Sequence, residues 1–170
     1  MMRRTAMALM ILTSTAALSG QQPAARPASA PTPAPPPGSA GIYKSDAELS
    51  DTLKKAIAAI SGDTASALVA NTDQYRIGVV YRNKPGGPLA HRGNTELHYV
   101  IDGAATLVTG GTIVRPAPGA TGLARIDGGA THAMKKGDVV VVPAGSAHWY
   151  KEVQGTFTYL EVRFVAPEPK

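Results

Sequence analysis

From about residue 64 onward the chain is a succession of short apolar runs separated by turn residues. That rhythm limits the possible folds more than any other feature. Ten runs read as strands: 65–70, 75–82, 96–101, 104–108, 112–115, 123–126, 131–135, 138–142, 147–153 and 156–165. Between them stand Asp102-Gly103, Gly110-Gly111, Gly128-Gly129 and Lys136-Gly137-Asp138, whose glycines suit tight reversals. Short strands at even spacing predict an all-β fold, an antiparallel barrel or two-sheet jelly roll. No glycine-rich phosphate loop precedes a helix, and strands do not alternate with helices. Nucleotide-binding α/β folds are therefore excluded. One helix is predicted ahead of the strands. Ser45 and Glu48 form a capping box, Leu49, Leu53, Ala56, Ile57 and Ile60 recur at helical spacing, and Gly62 ends the pattern. This amphipathic helix is expected on the outside of the β fold.

The first 40 residues have a different character. Arg3 and Arg4 precede an uncharged apolar run from Thr5 to Leu18, followed by the small residues Ser19 and Gly20. This is the layout of a secretory signal over 1–20, and the run is short of the ~20 residues that span a bilayer. The expected location is periplasmic or secreted, with no membrane association once the signal is cleaved. Residues 21–40 are almost entirely Gln, Pro, Ala, Ser and Thr, with no apolar face to bury, and predict a disordered linker. The folded domain is expected over 41–170, with its core in 75–165. Without residues 1–20 there remain 15 basic and 12 acidic residues, a net charge of +3. That charge is small, scattered and not interleaved with aromatic residues, which argues against nucleic acid as a partner. The chain has no cysteine, which excludes disulfides, thiolate metal sites and a cysteine nucleophile. Any metal must be held by carboxylates and the four histidines.

Two stretches carry a more specific pattern. Gly137, five residues, Pro143, one residue, Gly145, two residues and His148 resembles the second signature of the cupin superfamily, in which a Pro-x-Gly turn leads to a metal-binding histidine. The superfamily has Asn four residues later, where this chain has Glu152. Glu96, six residues and Gly103 resemble the second half of the first cupin signature, and His91 falls on its second histidine. Leu89 occupies the position of its first histidine and cannot bind a metal. The resemblance covers roughly 75–165 and implies a double-stranded β-helix, the cupin jelly roll. It is nearest to small, single-domain secreted cupins. It also implies pairing of two chains as a homodimer.

Strand alternation places His98 on the face of Glu96, and Tyr150 and Glu152 on the face of His148. The expected metal ligands are His91, Glu96, His148 and His98. Each has a plainer reading. His148 could be a hydrogen-bonded barrel histidine, Glu96 could pair with Arg76 or Arg163, and His91 could cap a strand. His98 either replaces the missing ligand, acts as acid or base together with Tyr150, or packs. Tyr150 either donates a proton or hydrogen bond to substrate or forms pocket wall. Trp149, on the opposite face, is expected in sheet packing or a dimer contact, and His132 in solvent. Gln74, Arg76, Tyr81 and Arg163 are candidates for setting the substrate's charge.

Imidazoles with one carboxylate suit one divalent transition metal, Fe, Mn, Ni, Cu or Zn. The sequence contains no serine nucleophile elbow, because Ser146 lies in the Pro-x-Gly turn. The favoured function is an exported metal-dependent enzyme acting on a small polar organic substrate, by dioxygenase, isomerase or lyase chemistry. The alternative is a non-catalytic cupin module of the periplasm that binds a small ligand or a metal. A third reading, a tethered interaction protein, rests on the Pro/Ala-rich leader alone.

Overall fold

The computed structural model describes residues 31–119 and 121–165. The expected signal, the first half of the linker and residues 166–170 lie outside the described residues. Of the linker's second half, Thr32 makes an isolated parallel bridge to Thr72, and the backbone N–H of Ala34 donates to the Asp73 carboxylate.

Helix α1 (Asp46–Ala58) begins where the capping box predicts. The Ser45 hydroxyl accepts from the Glu48 N–H, and the Glu48 carboxylate accepts from the Ser45 N–H. The predicted apolar stripe is its half-buried face, with Leu49 and Leu53 set against Val79 and Ile101 of the sheet. The helix closes at Ala59, ahead of Gly62.

Eight strands follow: β1 (Thr64–Asn71), β2 (Tyr75–Arg82), β3 (Asn94–Thr109), β4 (Thr112–Val114), β5 (Arg125–Asp127), β6 (Ala130–Lys135), β7 (Val139–Val142) and β8 (His148–Val165). All named pairings are antiparallel. The large sheet runs β1-β2-β8-β3-β6, with β7 also on β3, and β4 and β5 form a separate ribbon. The all-β jelly-roll expectation holds, but ten candidate strands become eight. Runs 96–101 and 104–108 are one strand, and so are 147–153 and 156–165. The expected turn at Asp102-Gly103 is a bend within β3. It is held there because β3 and β8 pair along their lengths, from Asn94 opposite Val165 to Thr109 opposite His148. Register shifts at Val100/Asp102 and Gly103/Ala104 absorb the bend, which a sheet needs in order to curl over its own face.

The bend encloses the core. Val80, Val100, Phe157 and Tyr159 come from one half of the long strands and β2. Ala105, Leu107, Met134 and Tyr150 come from the other half and β6. Their aromatic rings meet across the fold, Tyr150 to Phe157 at 5.2 Å and Tyr150 to Tyr159 at 5.3 Å between centroids. Such tilted contacts add to the burial of large apolar surface. The polar side chains Glu96, His98, His148 and Glu161 are buried beside this cluster, and burial of that kind demands partners.

Candidate metal centre

Two adjacent backbone connections bring the site together. The isolated bridge between Leu89 and His148 exchanges both hydrogen bonds, Leu89 N–H to His148 C=O at 3.0 Å and the reverse at 2.8 Å. The Gly145 N–H donates to the His91 carbonyl at 2.9 Å. The Pro143-Ala144-Gly145 turn thus braces the loop that carries His91, and Leu89, though no ligand itself, fixes the start of β8. Glu96 enters from β3 at a position opposite Arg163 of β8.

The result is a carboxylate surrounded by imidazoles. Glu96 is 1% exposed. Its Oε1 lies 3.3 Å from His91 Nε2 and its Oε2 lies 3.4 Å from His148 Nε2. One ligand atom each from His91, Glu96 and His148 falls within 4.8 Å of the others, so the group could hold a metal ion. The unmet bonding at the site fits such an ion. His91 Nε2 and Glu96 Oε1 are buried without a hydrogen-bond partner, a state that costs free energy unless something occupies them. His148 Nδ1 faces the Ser146 carbonyl at 3.3 Å. With the proton on Nδ1, the Nε2 lone pair is turned to the centre, the usual arrangement behind a histidine ligand.

His98 occupies a neighbouring position. Its Nε2 is 3.1 Å from Glu96 Oε2 and 3.9 Å from Glu161 Oε2, and its Nδ1 is 2.8 Å from the Tyr150 hydroxyl. Glu96, His98 and Glu161 form a second group of possible ligand atoms, but one whose members already bond to protein. Tyr150 stacks beneath His98 at 5.9 Å between ring centroids and is 3% exposed.

Burial sets the electrostatics. It lowers the pKa of His91 and His148, against the opposing pull of Glu96, so both rings are neutral at neutral pH. For Glu96 burial is the largest influence and favours the neutral acid. The hydrogen bond from His98 and the charge of Arg163, helped by His148 and His91, outweigh it and hold the carboxyl below its ordinary value. Burial also raises Tyr150 well above the usual phenol range and Tyr159 to about 12, so both remain hydrogen-bond donors.

The shifts at His91, His148 and Glu96 act on stability with one sign. As pH falls through about 6.5, the unfolded chain protonates at His91 and His148 while the folded chain resists. Below the ordinary carboxylate range, protonation of Glu96 removes a further contribution. The chelator-treated protein should therefore lose thermal stability steadily from about pH 8 to about pH 5, followed by circular dichroism. A melting temperature that rises on acidification would contradict the assignment of neutral imidazoles.

Beside the centre opens a cavity of about 430 Å³. His91, Arg76 and Arg163 line it, as do Arg82, Tyr159 and Glu161. Arg76 contacts the Glu161 carboxylate, Arg82 Nη1 contacts Asp63 at 2.6 Å, and Arg163 Nη2 contacts Glu161 at 3.0 Å. Of the four side chains expected to set substrate charge, Arg76 and Arg163 reach the cavity, whereas Gln74 and Tyr81 do not line it. The expected pairing of Glu96 is with Arg163, at 3.3 Å. Arg76 pairs with Glu161 instead. Neither Tyr150 nor His98 lines the cavity; the tyrosine that does is Tyr159.

Two placements correct the sequence reading. Glu152 does not share the interior face of His148 and Tyr150. It is exposed and accepts from the Thr106 hydroxyl at 2.7 Å. Thr106 pairs with Glu152 and Leu107 with Tyr150, so Lys151 is an extra residue and the alternation resets. His132 is not in open solvent. It is half-buried, with Nε2 2.9 Å from the Thr109 hydroxyl across β3 and β6. Trp149 does take the opposite face and donates from Nε1 to the Gly86 carbonyl at 2.6 Å. The sequence reading missed Glu161, Arg82 and Tyr159 as site residues. Their signal was the alternation Phe157, Tyr159, Glu161, Arg163 on β8 and Arg76, Gly78, Val80, Arg82 on β2.

No protein-family model matches the chain, and no curated protein matches it. Among solved structures, it is similar to the cupin domain of Cnp3 from Schizosaccharomyces pombe, with 14% identity over 62% of this chain and 67% of that one, at a TM-score of 0.47. KdgF from Halomonas sp. is 15% identical over 64% and 86% of the two chains, at a TM-score of 0.47. An RmlC-like cupin from Shewanella frigidimarina is 16% identical over 64% and 82%, at a TM-score of 0.45. These likenesses are distant. The strand order and the convergence of both signature stretches on Glu96 are properties of this chain itself.

Proposed function

We propose that this chain is an exported, metal-dependent enzyme of the cupin type that acts on a small polar organic molecule. The observation that carries the reading is the set of His91, Glu96 and His148, with buried unpartnered atoms on His91 and Glu96 at the edge of a cavity. Those three residues would hold one divalent transition metal, Fe, Mn, Ni, Cu or Zn. When bound, such an ion supplies Lewis-acid polarisation of a substrate oxygen. The chain's own groups do the remainder. Arg76, Arg82 and Arg163 orient the substrate from the cavity wall. Tyr159 presents a hydroxyl that stays protonated. His98 donates to Glu96 and accepts from Tyr150, which keeps the carboxylate ionised and fixed. Residues 1–20 have the charge and apolar pattern of an export signal. The exposed apolar side chains of Tyr99, Val139 and Val141 favour pairing of two copies as a homodimer.

Leu89, at the position of a superfamily ligand, favours the alternative of a binding module without chemistry. The two readings part under chelation. The metal-loaded protein would be screened by thermal shift against small organic acids and sugars, before and after chelator. The enzyme reading expects a stabilising ligand whose effect disappears with chelator and in His148→Ala. A ligand indifferent to both treatments would replace it with the binding-module reading.

A further inference from the structure

The cavity's remaining unmet hydrogen bonds are not evenly divided between donors and acceptors. Among the described residues, four buried side-chain atoms have no hydrogen-bond partner: His91 Nε2, Glu96 Oε1, Arg82 Nε and Arg163 Nε. The first two belong to the candidate metal ligands and would be satisfied by a cation. The other two can only donate. Both belong to arginines that line the cavity, with side chains 11% and 26% exposed.

Charge gives the same asymmetry. The guanidinium groups of Arg76, Arg82 and Arg163 are matched by the carboxylates of Asp63, Glu96 and Glu161. A divalent cation on His91, Glu96 and His148 would leave an excess of two positive charges beside the buried Glu96 and His148. Such an excess is costly unless an anion offsets it. Part of the lining is apolar, contributed by Val80, Pro88 and Leu89. A bare inorganic anion would leave that part uncovered, whereas a carbon skeleton would cover it.

We propose that the cavity binds a small organic carboxylate, with its carboxylate held by Arg82 and Arg163 and its carbon skeleton against Val80, Pro88 and Leu89. This names the substrate class of the metal-dependent reading and rests on it only for the excess charge; in either case Arg82 Nε and Arg163 Nε lack a hydrogen bond, the second having only its charge contact with Glu96 at 3.3 Å. Leu89 then has a use of its own, as the apolar wall where the superfamily places a ligand. The cavity, at about 430 Å³, is within the ~300–1,000 Å³ common for small-molecule sites.

Calorimetric titration of the purified protein with malonate, its neutral analogue malonamide and inorganic phosphate tests the assignment. Metal content is measured on the same samples, with and without chelator. Malonate should bind saturably, malonamide should not, and phosphate should bind more weakly. Arg82→Lys and Arg163→Lys keep the charge but lose the Nε donor and the planar fork, and each should weaken malonate about 10-fold or more. Melting curves check that both variants are folded, and the preference for malonate over malonamide in the parent needs no variant at all. Equal binding of malonamide, tighter binding of phosphate, or unchanged affinity in both folded variants would overturn the inference. A chain that binds malonate but takes up no metal would keep it and remove the metal-dependent reading. Metal uptake without malonate binding would do the reverse.

Discussion

Glu96→Gln is expected to remove metal binding and to destabilise the fold in a single step. The carboxylate is 1% exposed and faces His91, His98, His148 and Arg163, all between 3.1 and 3.4 Å. A carboxamide of the same shape carries no charge and turns one N–H₂ toward groups that already donate. Among the described residues, Arg163 then keeps only Glu161 as a charged partner. Breaking a buried ion pair from one side costs about 3–5 kcal/mol, and urea unfolding of the metal-free protein should read a loss of that order. Metal affinity should fall by more than the ~10–100-fold that follows removal of an outer partner. Glu152→Gln, on an exposed carboxylate of the same strand system, should stay within about 0.5 kcal/mol and leave metal uptake unchanged. Similar behaviour of the two variants would contradict the placement of Glu96 at the centre.

Gly103→Ala is expected to be the most damaging single methyl addition in the barrel. Gly103 has φ of +81°, and a Cβ there would collide with the Thr156 carbonyl oxygen and crowd Phe157 Cα. The left-handed conformation alone costs about 1–2 kcal/mol for an alanine. Forcing apart the central β3–β8 pair adds about 1–3 kcal/mol. Gly110 offers an internal standard, because its φ of +74° carries the same strain with open space around the added methyl. Gly110→Ala should therefore lose about 1–2 kcal/mol and Gly103→Ala clearly more, both read by urea unfolding. Equal losses would mean that the bend is not held by the close approach of the two strands.

The same glycine explains what could be read in the sequence and what could not. Asp102-Gly103 has the composition of a hairpin turn, and local chemistry alone cannot distinguish a turn from a bend inside a long strand. The difference lies in Phe157 and Thr158, more than 50 positions away, which pair with Gly103 and Asp102. The start and apolar stripe of helix α1 were legible because its cap and spacing are local features, although it closes at Ala59 and not at Gly62. His91, Glu96 and His148 were legible because each sits at a fixed offset in a spaced motif, and the structure brings all three together. Glu152 was misplaced because strict alternation fails at a bulge, and no residue type around Lys151 announces one. Glu161 and Arg82 were overlooked for a different reason. A charged residue on a strand reads as solvent-facing until the partner strand is known, and here Arg82 meets Asp63 just before β1 while Glu161 meets Arg76 on β2.

The central claim is that His91, Glu96 and His148 form a metal site, and metal content per chain tests it most directly. The protein would be purified without chelator or affinity metal, and the ions counted by plasma mass spectrometry. Parent and His91→Ala/His148→Ala double variant would be compared after equal exposure to Fe, Mn, Ni, Cu and Zn. The account predicts roughly one tightly held transition-metal ion per parent chain and none in a folded double variant. A parent that neither carries nor takes up such an ion, or a double variant that retains it, would contradict the account.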